Sequence, residues 1–280
     1  ASVIHLLAAN PPEGWRSSSC NTFSTKGLRR KMKRWRIAKK QIKNGDFDLV
    51  HIHCAAGWSY RRKLSIAKVA NAPVIFHIHS GQFDIDTKSD LDEYQVVCLS
   101  EAWSEKLQHL VGDSLSVPNP VDAKLKKGVK RENFTLLMGR DDPVKGHEFS
   151  YSLGLDDLRV TGVDSAPEGV TALGWVSEEE KWNLLQTAGC LIVPSGFEGQ
   201  PMVILEALAA GCPVVASTNV PDLPACVKTV DLGDVQAWKE AIASPITEGL
   251  QDSVAKHQID LVTKQWGEIY DNIMDSKAST

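Results

Sequence analysis

Two short apolar runs with a helix-like segment between them set narrow limits on how this chain can fold. Gly189-Cys-Leu-Ile-Val-Pro194 and Cys212-Pro-Val-Val-Ala216 are continuous apolar runs bounded by turn formers. That is the pattern of strands buried on both faces. Residues 202–210, closed by Gly211, have the length and composition of a helix that joins them. Strand, helix and strand in immediate succession imply a parallel pair with a crossover, and therefore a parallel sheet covered by helices.

The alternation runs along the whole chain. Strands are expected over 3–9, 48–53, 74–79, 95–99 and 115–117, with helices over 28–43 and 61–70 and from Ser100 towards Val111. A second array places strands over 134–138, 158–161, 170–173, 190–193, 214–216 and 229–232, with helices over 178–188 and 202–210. Ile259, Val262, Trp266, Ile269 and Ile273 repeat at helical spacing within 252–274. At 280 residues the chain suits two domains. We read residues 1–122, with a helix over about 252–280, as the first and 123–251 as the second. With 42% hydrophobic and 24% charged residues, the composition is that of a soluble globular protein rather than a disordered one. No apolar run approaches the ~20 residues that span a bilayer. The first nine residues carry no basic leader and read as a strand rather than a signal peptide, and six scattered cysteines without a Cys-x-x-Cys pair fit a reducing, cytoplasmic setting.

The connection between the two buried runs carries chemistry. Pro201 suits the first helical position, which leaves the amides of Met202 and Val203 free at the positive end of the helix dipole. Such an end attracts phosphate. Glu198 lies on the loop before the helix, beside Gly199 and Gln200, and Glu206 lies about one and a half turns inside it. One carboxylate can then reach ribose hydroxyls while the other faces a group beyond the phosphates.

Pro194-Ser195, Glu198, Glu206-Ala207 and Gly211-Cys-Pro-Val-Val-Ala216 together resemble the signature of the retaining glycosyltransferases of family 4. Further matches follow in the family's order. Gly139-Arg140 with Lys145-Gly146 resembles the opening of the donor domain, Leu173-Gly-Trp-Val176 the loop against the nucleobase, and Val117-Pro-Asn-Pro-Val-Asp122 the domain junction. Pro120 replaces the commoner glycine of that junction. Ser177 and Glu180 form a capping box behind the nucleobase loop.

The resemblance implies an α/β GT-B fold: two Rossmann-like parallel-sheet domains facing each other across a cleft, with the C-terminal helix crossing back to the first. It implies transfer of a hexose-type sugar from a nucleoside diphosphate sugar to an acceptor hydroxyl, with retention of anomeric configuration. Arg140 and Lys145 would neutralise the departing diphosphate, a role suited to their charge. Glu198 would orient the sugar, His79 would contact it, and Glu206 would hold the ribose. Gly14, Gly139, Val176, Gly199, Gln200, Met202 and Val203 complete the implied donor contacts. Metal is not expected, because cationic side chains and helix amides take its place. The acceptor, a glycan or a lipid-linked molecule, is not legible. The first domain is short, and Pro11-Pro-Glu-Gly14 keeps one glycine where relatives often have two. A donor-binding subunit, or an epimerase or hydrolase of the same fold, is the alternative.

Two features stand apart from the motifs. His51-x-His53 and His77-x-His79 each place two rings on one strand face. Without a carboxylate or cysteine pattern nearby, we read them as buried, hydrogen-bonded histidines rather than metal ligands, with His79 at the sugar. Residues 26–43 hold ten Lys or Arg and no acid, which leaves 21 basic against 35 acidic residues elsewhere. Leu28, Met32, Trp35, Ala38 and Ile42 form an apolar stripe on this basic helix. Lys26, Arg29, Arg30, Lys33 and Arg34 would attract anionic lipid headgroups, which places the protein at the inner face of a membrane. No nucleic-acid reader motif accompanies the charge.

Overall fold

In a computed structural model the described residues are 3–22, 27–55, 57–79 and 88–278. They divide into two compact units, residues 1–120 with 259–280, and residues 121–258. Lys26 and the segment 80–87 lie outside the described residues.

In the first unit, α1 (Val3–Ala9) and α2 (Leu28–Asn44) precede β1 (Val50–Cys54), α3 (Trp58–Ala67), β2 (Val74–Ile78), α4 (Lys88–Leu91), β3 (Gln95–Cys98), α5 (Glu101–Val111) and β4 (Leu115–Ser116). The four strands form one parallel sheet in the order β1-β2-β3-β4. Each of the first three strands feeds a helix that returns the chain to the neighbouring strand, and that is why the order follows the sequence. One sheet face packs Ile52, Phe76, Val96 and Cys98 against Tyr60 and Leu64 of α3 and Trp103 and Leu107 of α5. Ser100 starts α5 by accepting the Trp103 N–H at 3.3 Å. Ile75 and Val97 on the other face are covered by Val262 and Trp266 of α10 (Ile259–Ala278).

Val3–Ala9 corrects the sequence reading, since it is a helix and not a strand. Leu6-Leu-Ala-Ala9 favours helix by propensity. Tertiary packing decides in the same direction: Val3 is buried, and Leu7, one turn on, joins the apolar cluster around Trp266, whereas Ile4 is exposed. The chain after α1 is pinned to the same helix, with Trp15 Nε1 donating to Asp271 Oδ1 at 2.9 Å and its ring edge-on to Tyr270.

In the second unit, β5 (Thr135–Leu137), α6 (His147–Ser152), β6 (Leu158–Val160), β7 (Val170–Ala172), α7 (Glu178–Thr187), β8 (Cys190–Val193), α8 (Met202–Ala209), β9 (Val214–Ser217), β10 (Lys228–Val230) and α9 (Val235–Ala243) follow in turn. Six parallel strands lie in the order β10-β9-β8-β5-β6-β7. The capping box expected at Ser177 and Glu180 is present at the start of α7. α6 and α9 were not marked in the sequence, the first being only six residues long. The apolar pattern over 252–274 belongs to two elements, a 3-10 turn at Asp252–His257 in the second unit and α10 in the first, separated at the extended residue Gln258.

Candidate functional site

From β5 the chain of the second unit runs outward through β6 to β7, then returns to β8 on the other side of β5. The connections leaving β5 and β8 therefore diverge, which opens a crevice at the carboxyl ends of those two strands. Loop 138–146 follows β5 and carries Gly139, Arg140 and Lys145, while loop 194–201 follows β8 and carries Glu198, Gly199 and Gln200. The two loops are joined. The Gly196 N–H donates to the Val144 carbonyl at 2.8 Å, and Lys145 Nζ lies 2.5 Å from Glu198 Oε1, which also accepts from Ser195 Oγ at 2.8 Å.

Glycine geometry holds this crevice open. A Cβ on Gly139 would meet the Lys145 stem at 3.4 Å, so the lysine lies directly over that glycine. Gly146 and Gly162 both have positive φ, and a Cβ there would come within 2.3 Å of the Pro194 carbonyl oxygen and 2.0 Å of the Gly139 carbonyl oxygen respectively. Neither approach is possible for another residue. Thr161, which no motif marked, fixes the loop by accepting the Gly139 N–H on Oγ1 at 3.1 Å. Arg140 is exposed and paired with Asp142 at 2.7 Å. Its guanidinium and the Val144 N–H hold the Asp142 carboxyl below the ordinary carboxylate range.

The start of α8 differs by one position from the sequence reading. Pro201 has ψ 116 and is the N-cap, and the helix begins at Met202. Ile204 N–H already donates to the Pro201 carbonyl at 3.1 Å, and no side chain caps the end. The amides of Met202 and Val203 precede that first bond. Glu206 is buried, within the run 204–208 of α8 that is buried throughout. Its partner is Lys181 of α7, whose Nζ lies 2.5 Å from Glu206 Oε1 and 2.6 Å from Glu178 Oε1. Burial raises the Glu206 carboxyl above its ordinary value even so. Burial would lower Lys181, but the carboxylates of Glu206 and Glu178 outweigh it and hold the ammonium charged. A lysine on an acidic helix start gives no signal in the sequence, and Lys181 was missed for that reason.

Val176 lies with Leu173, Glu179, Glu180, Asn183, Leu184 and Lys126 around a pocket of about 430 Å³. Lys145 and Glu198 do not line it. The remaining implied contacts, Gly14 and His79, belong to the first unit. Gly14 has φ 80 and open space where a Cβ would sit, so its backbone conformation rather than a close neighbour calls for glycine. His79 Nε2 is 2.8 Å from His53 Nδ1. Burial pushes both His51 and His79 down to about 3, and His53 and His77 well below the ordinary histidine value. The expectation that all four rings are hydrogen-bonded fails for His77, neither of whose nitrogens has a partner among the described residues. In α2, Arg29, Arg30, Lys33 and Arg34 are exposed, while Met32, Trp35, Ala38 and Ile42 turn inward. Leu28, expected on the apolar stripe, is 75% exposed.

Residues 125–248 match the family described as "Glycosyl transferases group 1". Over 239 residues, 71% of this chain, the sequence is 28% identical to a phosphatidyl-myo-inositol mannosyltransferase of Mycolicibacterium smegmatis. The chain has the GT-B fold, and its second unit carries the match to the glycosyltransferase family. Its fold is shared with sucrose-phosphate synthase from Thermosynechococcus elongatus, at TM-score 0.70 and 18% identity over 91% of this chain and 81% of that one. It is shared also with Anabaena Alr3699/HepE in complex with UDP and glucose, at TM-score 0.67 and 14% identity over 91% and 86% of the two chains. The chain spans 60% of the length of the mannosyltransferase it matches.

Proposed function

We propose that this chain transfers a hexose-type sugar from a nucleoside diphosphate donor to an acceptor hydroxyl, with retention at the anomeric carbon. The observation that carries the reading is the Lys145–Glu198–Ser195 cluster at the divergence of β5 and β8, in front of the uncapped start of α8. An ammonium and two free amides suit a diphosphate leaving group. Glu198, held by Lys145 and Ser195, is placed to accept from sugar hydroxyls, and Arg140 reaches phosphate by exchanging Asp142 for it. Glu206 is assigned to the ribose, and Val176 with Gly199 and Gln200 to the rest of the donor. Gly14 and His79 are assigned to the donor on the sequence resemblance alone. These groups position the donor and stabilise departing charge, so no cation is needed at the diphosphate. The solved relative whose description includes UDP and glucose supports a nucleotide-sugar donor. Incubation with a panel of nucleotide sugars and acceptor lipids, with the anomeric configuration of product read by NMR, tests the reading. Inverted product, or none with any donor, would refute it.

A lipid-linked acceptor at a membrane surface is supported by the name of the mannosyltransferase relative and by α2. Among the described residues no helix is long and apolar enough to cross a membrane. α2 opens with Arg29, Arg30 and Lys31 and no acid, after Gly27, which offers no side-chain cap. Positive charge at the positive end of a helix dipole is unfavourable by ~0.3–1 kcal/mol per residue, and an anionic surface relieves it. Replacing Arg29, Arg30, Lys33 and Arg34 together by glutamine should weaken binding to anionic vesicles about a thousandfold, taking about 1 kcal/mol for each. Co-sedimentation at low and high salt measures it, and equal sedimentation of both proteins would remove the membrane role. A donor-binding subunit is the second reading, favoured by a first sheet of four strands among the described residues. Donor binding without transfer, restored by a co-purified chain, would select it.

A further inference from the structure

His51, His53 and His77 each offer a ring nitrogen, and these nitrogens lie within 4.8 Å of one another. The register of β1 and β2 brings this about. His53 pairs with His77 across the parallel ladder, and His51 shares the face of His53 two residues away. The rings of His51 and His53 stack at 4.4 Å, and the His77 ring lies 5.4 and 5.1 Å from them.

The hydrogen bonds divide the ring nitrogens into two sets. His51 Nδ1 is 2.7 Å from the Tyr270 hydroxyl, and His53 Nδ1 is 2.8 Å from His79 Nε2. Among the described residues His51 Nε2 and both nitrogens of the fully buried His77 have no partner. A buried polar atom left unpaired is costly, so several at one point need a physical reason. If His51 and His53 donate their Nδ1–H outward, to the Tyr270 oxygen and to His79 Nε2, both Nε2 lone pairs are left for a ligand. An outer hydrogen bond of this kind is what fixes the tautomer of a metal-bound histidine.

We propose that His51, His53 and His77 bind one divalent first-row transition ion, zinc foremost, with the fourth position open. Three neutral imidazoles and one open position suit zinc. His51 and His53 line a cavity of about 1340 Å³ in the first unit, which gives the ion a path and room for a fourth ligand. Lys63, which donates to the His53 carbonyl, opposes the added charge. Affinity should therefore be lower than that of a closed four-ligand structural zinc site. The ion ties the carboxyl ends of β1 and β2 together, and it takes no part in the diphosphate contacts proposed for the second unit.

The test is titration of tag-free, chelator-dialysed full chain with cobalt(II), read by visible absorption, followed by displacement with zinc. One cobalt per chain with a tetrahedral-type spectrum is expected, together with a higher thermal midpoint in zinc. His77→Ala and, as a variant at the cavity wall, His53→Gln should each weaken binding at least 30-fold, while exposed His109→Asn leaves it unchanged. No stoichiometric ion in the wild type, or undiminished affinity in a folded His53→Gln protein, overturns the proposal.

Discussion

Lys145→Ala should lower sugar transfer by about 10²–10³-fold, the range for removing one group that stabilises charge developing in a transition state. The loss should fall mainly on kcat, because charge builds on the diphosphate as the sugar leaves. Two features make this side chain hard to replace. Its stem is seated over Gly139, where a Cβ would lie in van der Waals contact with it, and its ammonium is held at the mouth of the β5–β8 crevice by Glu198. The fold should survive the change, since the Lys145–Glu198 pair is partly exposed and Ser195 still binds the carboxylate. Initial rates with saturating donor, together with the circular dichroism of the variant, check both statements. An unchanged kcat would remove Lys145 from the reaction.

The second large effect is on stability. Lys181→Met should destabilise the second unit by about 3–5 kcal/mol at neutral pH, because it strands the Glu206 carboxylate inside the protein. Burial already raises the Glu206 pKa with the lysine present, and without it the rise should be greater. The sign follows from that direction. A carboxyl whose folded value lies above its unfolded value is penalised at high pH and released from the penalty as pH falls through the folded value. The deficit of Lys181→Met should therefore shrink on acidification. Lys181→Met combined with Glu206→Met should recover most of the loss, since replacing both members of a buried pair by apolar side chains is often neutral. Denaturant titrations of the single and double variants across pH measure this. An equal deficit in both would mean that the lysine acts through something other than Glu206.

Much of the second unit was legible in the sequence, for a physical reason. Its strands are buried on both faces and read as unbroken apolar runs, as at Cys190–Val193 and Val214–Ser217, and its helix ends carry marks such as Ser177 with Glu180. What local pattern could not give was the pairing between distant elements. Lys181 beneath Glu206 and Thr161 against Gly139 are each consequences of how separate elements pack. Val3–Ala9 was misread because a short run of apolar residues suits strand or helix equally. Packing against α10, more than two hundred residues away, makes the choice. The histidines show the same limit, since the alternation places two rings on a face but only the β1–β2 register brings His77 between them.

The central claim is that the loops after β5 and β8 grip a nucleoside diphosphate through Lys145. Calorimetric titration of the wild type and of Lys145→Ala with nucleoside diphosphates and the matching monophosphates tests it most directly. The account predicts that one diphosphate binds the wild type at least tenfold more tightly than its monophosphate, and that Lys145→Ala loses this preference. A preference of the same size in both proteins, or no diphosphate binding by the wild type, would contradict it.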